Sequence, residues 1–200
     1  MLENTITAAK EDENYISKGS FEKEVLSDSD ISKIEFSFVN FTRCKFINCD
    51  FTKAEFYNTV FDNCNFANCV FTNSYWKNCK ILECKGDGSK FNQSHLKETY
   101  LEDSVFRYSD FSGALLEYLV ITNCDFTEAY FPEVKIIRPT LKFVNFSGVN
   151  FLNTKLKGID LSGCIIEGIA ISDTFKEIKD AKVNPMQAVE LAQLLGIRII

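Results

Sequence analysis

Residues 44–71 read Cys44-Lys-Phe-Ile-Asn-Cys49-Asp-Phe-Thr-Lys-Ala54-Glu-Phe-Tyr-Asn-Thr59-Val-Phe-Asp-Asn-Cys64-Asn-Phe-Ala-Asn-Cys69-Val-Phe71. Phenylalanine returns at every fifth position, and Phe36 and Phe41 extend the series backwards. A period of five fits neither an α-helix, which repeats every ~3.6 residues, nor a strand, which repeats every ~2. On a helix it would spread the large residues round every side. An internal repeat therefore governs the architecture.

Working outward, the phase holds from Ile16 to Ile171. Of the 32 positions in it, 31 carry a large apolar residue and only Gly86 does not; 16 of the 19 phenylalanines lie here. Gly86 lies in Glu83-Cys-Lys-Gly-Asp-Gly88, where a dent or bulge is expected. From Phe46 onward the position two residues before the large one is restricted, and mostly small: Cys44, Cys49, Ala54, Thr59, Cys64, Cys69, Ser74, Cys79 and Cys84 begin that run. All eight cysteines fall in it. Two residues after each large one the chain favours turn formers, such as Asn48, Asn58, Asn63, Asn68, Asn73 and Asn78, then Gly88, Gly113 and Gly148. Asparagine and glycine tolerate positive φ, so each unit can close in a turn.

The resulting unit is small, polar, large, polar, turn. The stretches Cys44-Lys-Phe-Ile-Asn, Cys49-Asp-Phe-Thr-Lys and Cys64-Asn-Phe-Ala-Asn resemble the pentapeptide-repeat family. The resemblance implies an all-β fold: a right-handed quadrilateral parallel β-helix, four units to a coil, about eight coils, with large and small positions facing inward. At the ~4.8 Å spacing of neighbouring strands the rod would be roughly 38 Å long. Equivalent positions then stack, and Phe51, Phe71, Phe91, Phe111, Phe131 and Phe151 form one inward ladder. Around 131–144 the small position is taken by Val134 and Pro139, which predicts a local distortion that keeps the phase.

Apolar residues make up 46% and charged residues 25% of the 200, a globular balance that excludes disorder throughout. No apolar run reaches the ~18–20 residues of a bilayer span, and the polar, acidic N-terminus carries no apolar leader segment. Cysteines confined to a slot shared with Ala, Ser and Thr read as small buried thiols rather than disulfides or metal ligands. Unpaired thiols without a leader lead to the expectation of a reducing cytoplasm. His95 is the only histidine, and its place in the repeat turns it outward. There is no glycine-rich phosphate loop and no metal-ligand spacing, so the sequence points to no catalytic residue, metal or cofactor. A repeat rod works instead as an extended binding surface.

The ends depart from the repeat. Residues 1–15 read as a cap or a flexible segment, and 16–183 as the repeat domain. After Ile171 the phase slips by two, and Ile178 and Val183 restart it with Ala181 in the small position. Residues 184–200 form the last unit. Asn184 suits an N-cap, Pro185 the first helical position and Gly196 the stop, and a short strand is expected at 197–200. Met186, Val189, Leu191, Leu194, Leu195, Ile197 and Ile199 make this segment too apolar for solvent. It is expected to cover the last coil and to hold a homodimer together.

Val183-Asn-Pro-Met-Gln-Ala-Val-Glu-Leu-Ala-Gln-Leu-Leu-Gly-Ile197 also resembles the end of the Qnr and mycobacterial MfpA group, and Ile81–Phe91 resembles the coil where Qnr proteins lose a large residue. That resemblance implies a dimer through the C-termini and binding to the type II topoisomerases DNA gyrase and topoisomerase IV. It implies protection from fluoroquinolones, partly by imitating DNA, with no direct contact to nucleic acid, membrane or small-molecule substrate. The unbroken phase is similar to the loopless MfpA form. The alternative is an interaction, scaffold or toxin-immunity protein with another partner. Charge bears on both readings. The chain carries −6 overall, but residues 1–30 hold −5 of it and 31–200 only −1. Asp125, Glu128, Asp160 and Glu167 are the acidic residues expected to meet a topoisomerase, while Lys135, Arg138, Lys155 and Lys157 make one face locally basic.

Overall fold

The computed structural model describes residues 1–194 and 196–198. The chain opens with helix α1 (Leu2–Glu11), which the sequence reading did not assign. Leu2, Ile6 and Ala9 lie on one side of it and are buried, a spacing that suits a helix face. Lys10 pairs with Asp30 at 2.5 Å, and the Met1 amino group pairs with Glu24 at 3.1 Å. The helix therefore sits over the first coil, where it covers backbone that would otherwise be an open sheet edge.

From Tyr15 onward the chain coils as a parallel β-solenoid in which every strand pairs with one twenty residues away, as in Ile16 with Phe36 and Phe41 with Phe61. Two faces form seven-stranded parallel sheets. The first runs from Tyr15–Ser17 to Lys135–Ile137, and the second from Ser20–Glu22 to Thr140–Lys142. The third face is linked through Asn65, Lys85, Val105, Asp125, Asn145 and Ile165, and the fourth through Asp30, Asp50, Val70, Lys90, Asp110, Tyr130, Asn150 and Ala170.

Positive φ recurs two residues after the large positions, as at Asn58 (50°) and Gly113 (67°). It also recurs where no turn former is present: Lys23, Glu83, Tyr108, Tyr118 and Arg138 adopt it. Phe38, Phe143 and Phe175, the three phenylalanines outside the five-residue phase, adopt it as well. The coiled path imposes this corner even at Arg138 and Phe143, whose own N–H groups have no backbone partner among the described residues, although bulky side chains resist it.

The large positions fill the core. Phe51, Phe71, Phe91 and Phe111 stack with ring centroids 4.7–4.8 Å apart, and Phe111–Phe131 continue at 4.8 Å. The last step, Phe131–Phe151, opens to 5.8 Å with the rings tilted by 57°. The small positions also have a bonding role. The thiols of Cys44, Cys64 and Cys79 donate to the carbonyls of Phe21, Phe41 and Phe56 at 3.3 Å, and Thr59 does the same to Phe36 at 3.2 Å. The slot holds a short side chain that can reach the neighbouring coil, which is why thiol and hydroxyl interchange there.

No dent forms at Gly86. Its N–H donates to Val105 O at 2.7 Å, and the ladder runs through. Phe66 and Phe106 lean into the space, with centroids 6.1 Å apart across two coils. An added Cβ would lie 2.7 Å from Phe106 and 2.8 Å from Phe66.

The distortion near Pro139 is larger than the unbroken phase implied. The strands Lys135–Ile137 and Thr140–Lys142 are the terminal strands of their sheets. Residues 155–162 turn to the following segment instead: Leu156 donates to Glu177 O and Leu161 to Lys182 O, at 2.8 and 2.9 Å. Asp160 bridges Lys182, so the register jumps from twenty residues to twenty-two at the phase slip. The third and fourth faces stay joined across the same level, through Phe146 to Ile165 O at 2.7 Å and Phe151 to Ala170 O at 2.8 Å. The result is a seam open on two faces and closed on two. Leu119, Pro139 and Ile159 occupy successive small slots in one column, where Thr59, Cys79 and Thr99 stand lower down. The level of Leu119 still closes, with Thr140 donating to Leu119 O at 2.8 Å; the coils part where Pro139 and Ile159 line the same void, consistent with overpacking of the slot. Ile136 and Leu141, at the seam, are only half-buried.

Helix α2 (Pro185–Leu194) follows. Asn184 Oδ1 accepts from the Gln187 N–H at 3.0 Å, and Gln187 Oε1 accepts from the Asn184 N–H at 2.8 Å, a reciprocal cap. The expected apolar lid does not form in this way. The buried residue of α2 is Gln187, whose amide donates to Leu161 O and Cys164 O at 2.8 and 2.7 Å. Ile197 and Arg198 form no strand, and Leu195, Ile199 and Ile200 lie outside the described residues.

Candidate functional site

The acidic residues singled out from the sequence do not make one patch. Asp125, Glu128 and Glu167 fall along the third face and its corner, with Asp125 linked through Asn145 to Ile165 two levels on. Asp160 stands on the second face. Asp125 is half-buried and pairs with Arg107 at 2.6 Å. Burial opposes its ionisation, yet the Thr127 hydroxyl and N–H and the Arg107 guanidinium hold its carboxyl below the usual carboxylate range. The Asp160 carboxyl is likewise held low, by the Ser162 hydroxyl and N–H. Glu128 and Glu167 are exposed. The Glu128 carboxylate lies over Gly148, where a Cβ would come within 2.7 Å of Oε1.

The local chemistry explains part of this pattern. Asp30, Asp50, Asp110, Asp125 and Asp160 each accept the N–H of the residue two places on. Asn65 and Asn145 do the same. An Asx turn shapes the corner, so an acidic side chain at this place in the unit has a structural role before it has any other.

His95 lies on the first face, 3.1 Å from Glu117 and edge-on to Tyr75. All eight cysteines are free and buried. Burial pushes the Cys79 and Cys124 thiols up to about 12 and Cys164 to about 11. Among the described residues no three His, Cys, Asp or Glu side chains gather as metal ligands would, and no helix is long and apolar enough to cross a membrane.

The residues proposed for a dimer are placed as follows. Met186 is 73% exposed, Ile197 53%, Leu194 42% and Val189 37%, while Leu191 packs partly against the core. The feature that sequence reasoning missed is the seam. On the first face it forms a cleft of about 610 Å3 between Lys135–Ile137 and Lys155–Lys157, and on the second a cleft of about 380 Å3 beside Phe143 and Asp160. An apolar void of about 20 Å3, lined in part by Ile136, Leu141, Leu156 and Leu161, lies behind them. The signal for it was the run of large residues in a small slot at 119, 139 and 159.

The model of the family described as pentapeptide repeats matches in eight copies, over residues 34–73, 87–117 and 124–168, more than half of the chain. No curated protein matches the sequence significantly. Among solved structures, a trypsin-treated variant of QnrB1, a plasmid-mediated fluoroquinolone resistance protein, superposes with a TM-score of 0.56 at 22% identity, over 91% of this chain and all of that one. A second trypsin-treated QnrB1 variant gives 0.54 at 20% identity, over 93% of this chain and 97% of its own. The coiling that these structures share with the present one, and the repeat model matched along it, show that this chain belongs to the pentapeptide-repeat family.

Proposed function

We propose that this protein is a Qnr-like partner of type II topoisomerases, binding DNA gyrase and topoisomerase IV and protecting them from fluoroquinolones, partly by DNA mimicry. The observation that carries the reading is the end-to-end correspondence of the rod with QnrB1, a fluoroquinolone resistance protein, with 91% of one chain over 100% of the other. The lack of insertions in the five-residue phase from 16 to 171 adds to it, because a rod without projecting loops can lie along a DNA-binding saddle as a duplex would. Its role is binding rather than catalysis, and its compartment is the cytoplasm.

In this reading the exposed carboxylates of Glu128, Asp160 and Glu167 meet the basic saddle, with Asp125 contributing less because Arg107 already neutralises it. The exposed Met186, Val189, Leu194 and Ile197 support self-association through the C-termini. A supercoiling assay with gyrase, with and without a fluoroquinolone, tests the proposal: rescue of supercoiling by the wild-type chain is expected, with loss of rescue on reversing Glu128, Asp160 and Glu167 to lysine. Absence of both binding and rescue would overturn it. Light scattering on the full chain and on a chain ending at residue 183 tests the dimer, which should fall to monomer in the shorter form.

A second reading, an interaction, scaffold or toxin-immunity protein with a partner other than a topoisomerase, is favoured by two observations. Residues 31–200 are almost neutral, and Asp125 is already paired. A gyrase assay without effect, combined with an intact fold, selects it.

A further inference from the structure

The seam leaves a strand edge open near the C-terminal end of the rod, above the seventh and last strand of the first sheet. One level below, the Tyr118 N–H donates to Ile137 O and the Lys135 N–H to Ala114 O, both at 2.9 Å. The corresponding groups of the next level, the Arg138 N–H and the Val134 carbonyl, have no backbone partner among the described residues. Lys135–Ile137 is thus an edge strand facing a cleft of about 610 Å3. Its inward residue, Ile136, is half-buried, whereas Leu116 and Leu96 below it are buried. The lips are basic. Lys135, Arg138, Lys155 and Lys157 are all exposed, against Glu133 and against Asp180, which pairs with Lys157 at 3.2 Å. This concentration of positive charge occurs in a chain of net charge −6.

We propose that this cleft docks an extended acidic peptide segment of a protein partner, which adds as a strand to the open edge of Lys135–Ile137. An open edge supplies main-chain donors and acceptors to an incoming strand. Alternation along that strand sets one residue inward over Ile136 and its neighbours outward beside Lys135 and Lys155, so the matching sequence alternates apolar with acidic residues. The joined third and fourth faces hold the last coil in place, so the cleft has fixed walls. The proposal is independent of topoisomerase binding, and its test contains no topoisomerase.

The test uses the full chain and a fluorescent peptide of about eight alternating glutamate and valine residues, a typical strand length, followed by anisotropy. Saturable binding is expected. The double variant K135E/K155E should melt as the wild type does and bind about tenfold more weakly or worse. N-methylation of alternate peptide amides should abolish binding, because it removes the ladder donors and keeps the side chains. The proposal is overturned if the peptide does not bind, if a lysine–valine counterpart binds equally, or if N-methylation has no effect. It is equally overturned if K135E/K155E binds as the wild type does, or if a single-stranded oligonucleotide occupies the site more tightly than the peptide.

Discussion

Gly86 interrupts the large-residue phase but is required by the packing around it. Phe66 and Phe106 occupy its space, and a Cβ would stand 2.7–2.8 Å from their rings. Restoring the repeat with G86F should therefore destabilise the protein, by about 1–3 kcal/mol or more, measured by urea unfolding; an increase in stability would contradict the packing seen here. The thiol slot carries a second residue-scale expectation. Because all eight thiols are buried, and burial pushes Cys79 and Cys124 up to about 12, those two should resist alkylation most in the folded chain near neutral pH, and all eight should react once it is denatured. Glu177 carries a third. It is fully buried, and burial opposes its charge, but the Ser172 hydroxyl and the N–H groups of Asn153 and Ser172 hold its carboxyl below the usual value of 4.5. A depressed carboxyl stabilises the fold above its unfolded pKa and loses that contribution as pH falls through the folded one. E177Q should cost about 1–3 kcal/mol near neutrality, and its difference from wild type should shrink as the pH drops below about 4, in parallel thermal melts.

The two helices differ in how far they could be read from the sequence. The signs of α2 are local: Asn184 and Gln187 three residues apart around Pro185 mark its start by short-range bonding alone. Helix α1 lacks such a mark. Leu2, Ile6 and Ala9 are few among polar neighbours, and so short a helix is secured by docking on the first coil rather than by its own sequence. The way α2 is held was not legible either. Its anchor is Gln187, a polar residue aimed at the carbonyls of Leu161 and Cys164, because the end of a β-solenoid presents backbone acceptors as well as apolar surface. Q187A should release the helix by about 1–3 kcal/mol, seen as faster hydrogen exchange in 184–194 with the coils unaffected.

At the scale of the molecule, the rod is one continuous ladder broken at one place on two faces. The amides of Arg138 and Phe143 should exchange at least ~100-fold faster than those of Tyr118 and Asn123, which are bonded to Ile137 O and Lys142 O. Returning the slot to small residues with P139T/I159T should slow them; unchanged exchange would show that another cause keeps the coils apart. The five-residue phase, read through its resemblance to pentapeptide repeats, determined the coil, the inward sets of large and small residues and the buried thiols, because each unit has the same few jobs and repeats them in sequence. The distribution of the acidic residues over two faces, the filling of space at Gly86 and the opening beside Ile136 were decided only by the tertiary structure. Each depends on residues twenty or forty places apart meeting across coils, where the volume of one side chain sets the room left for the next.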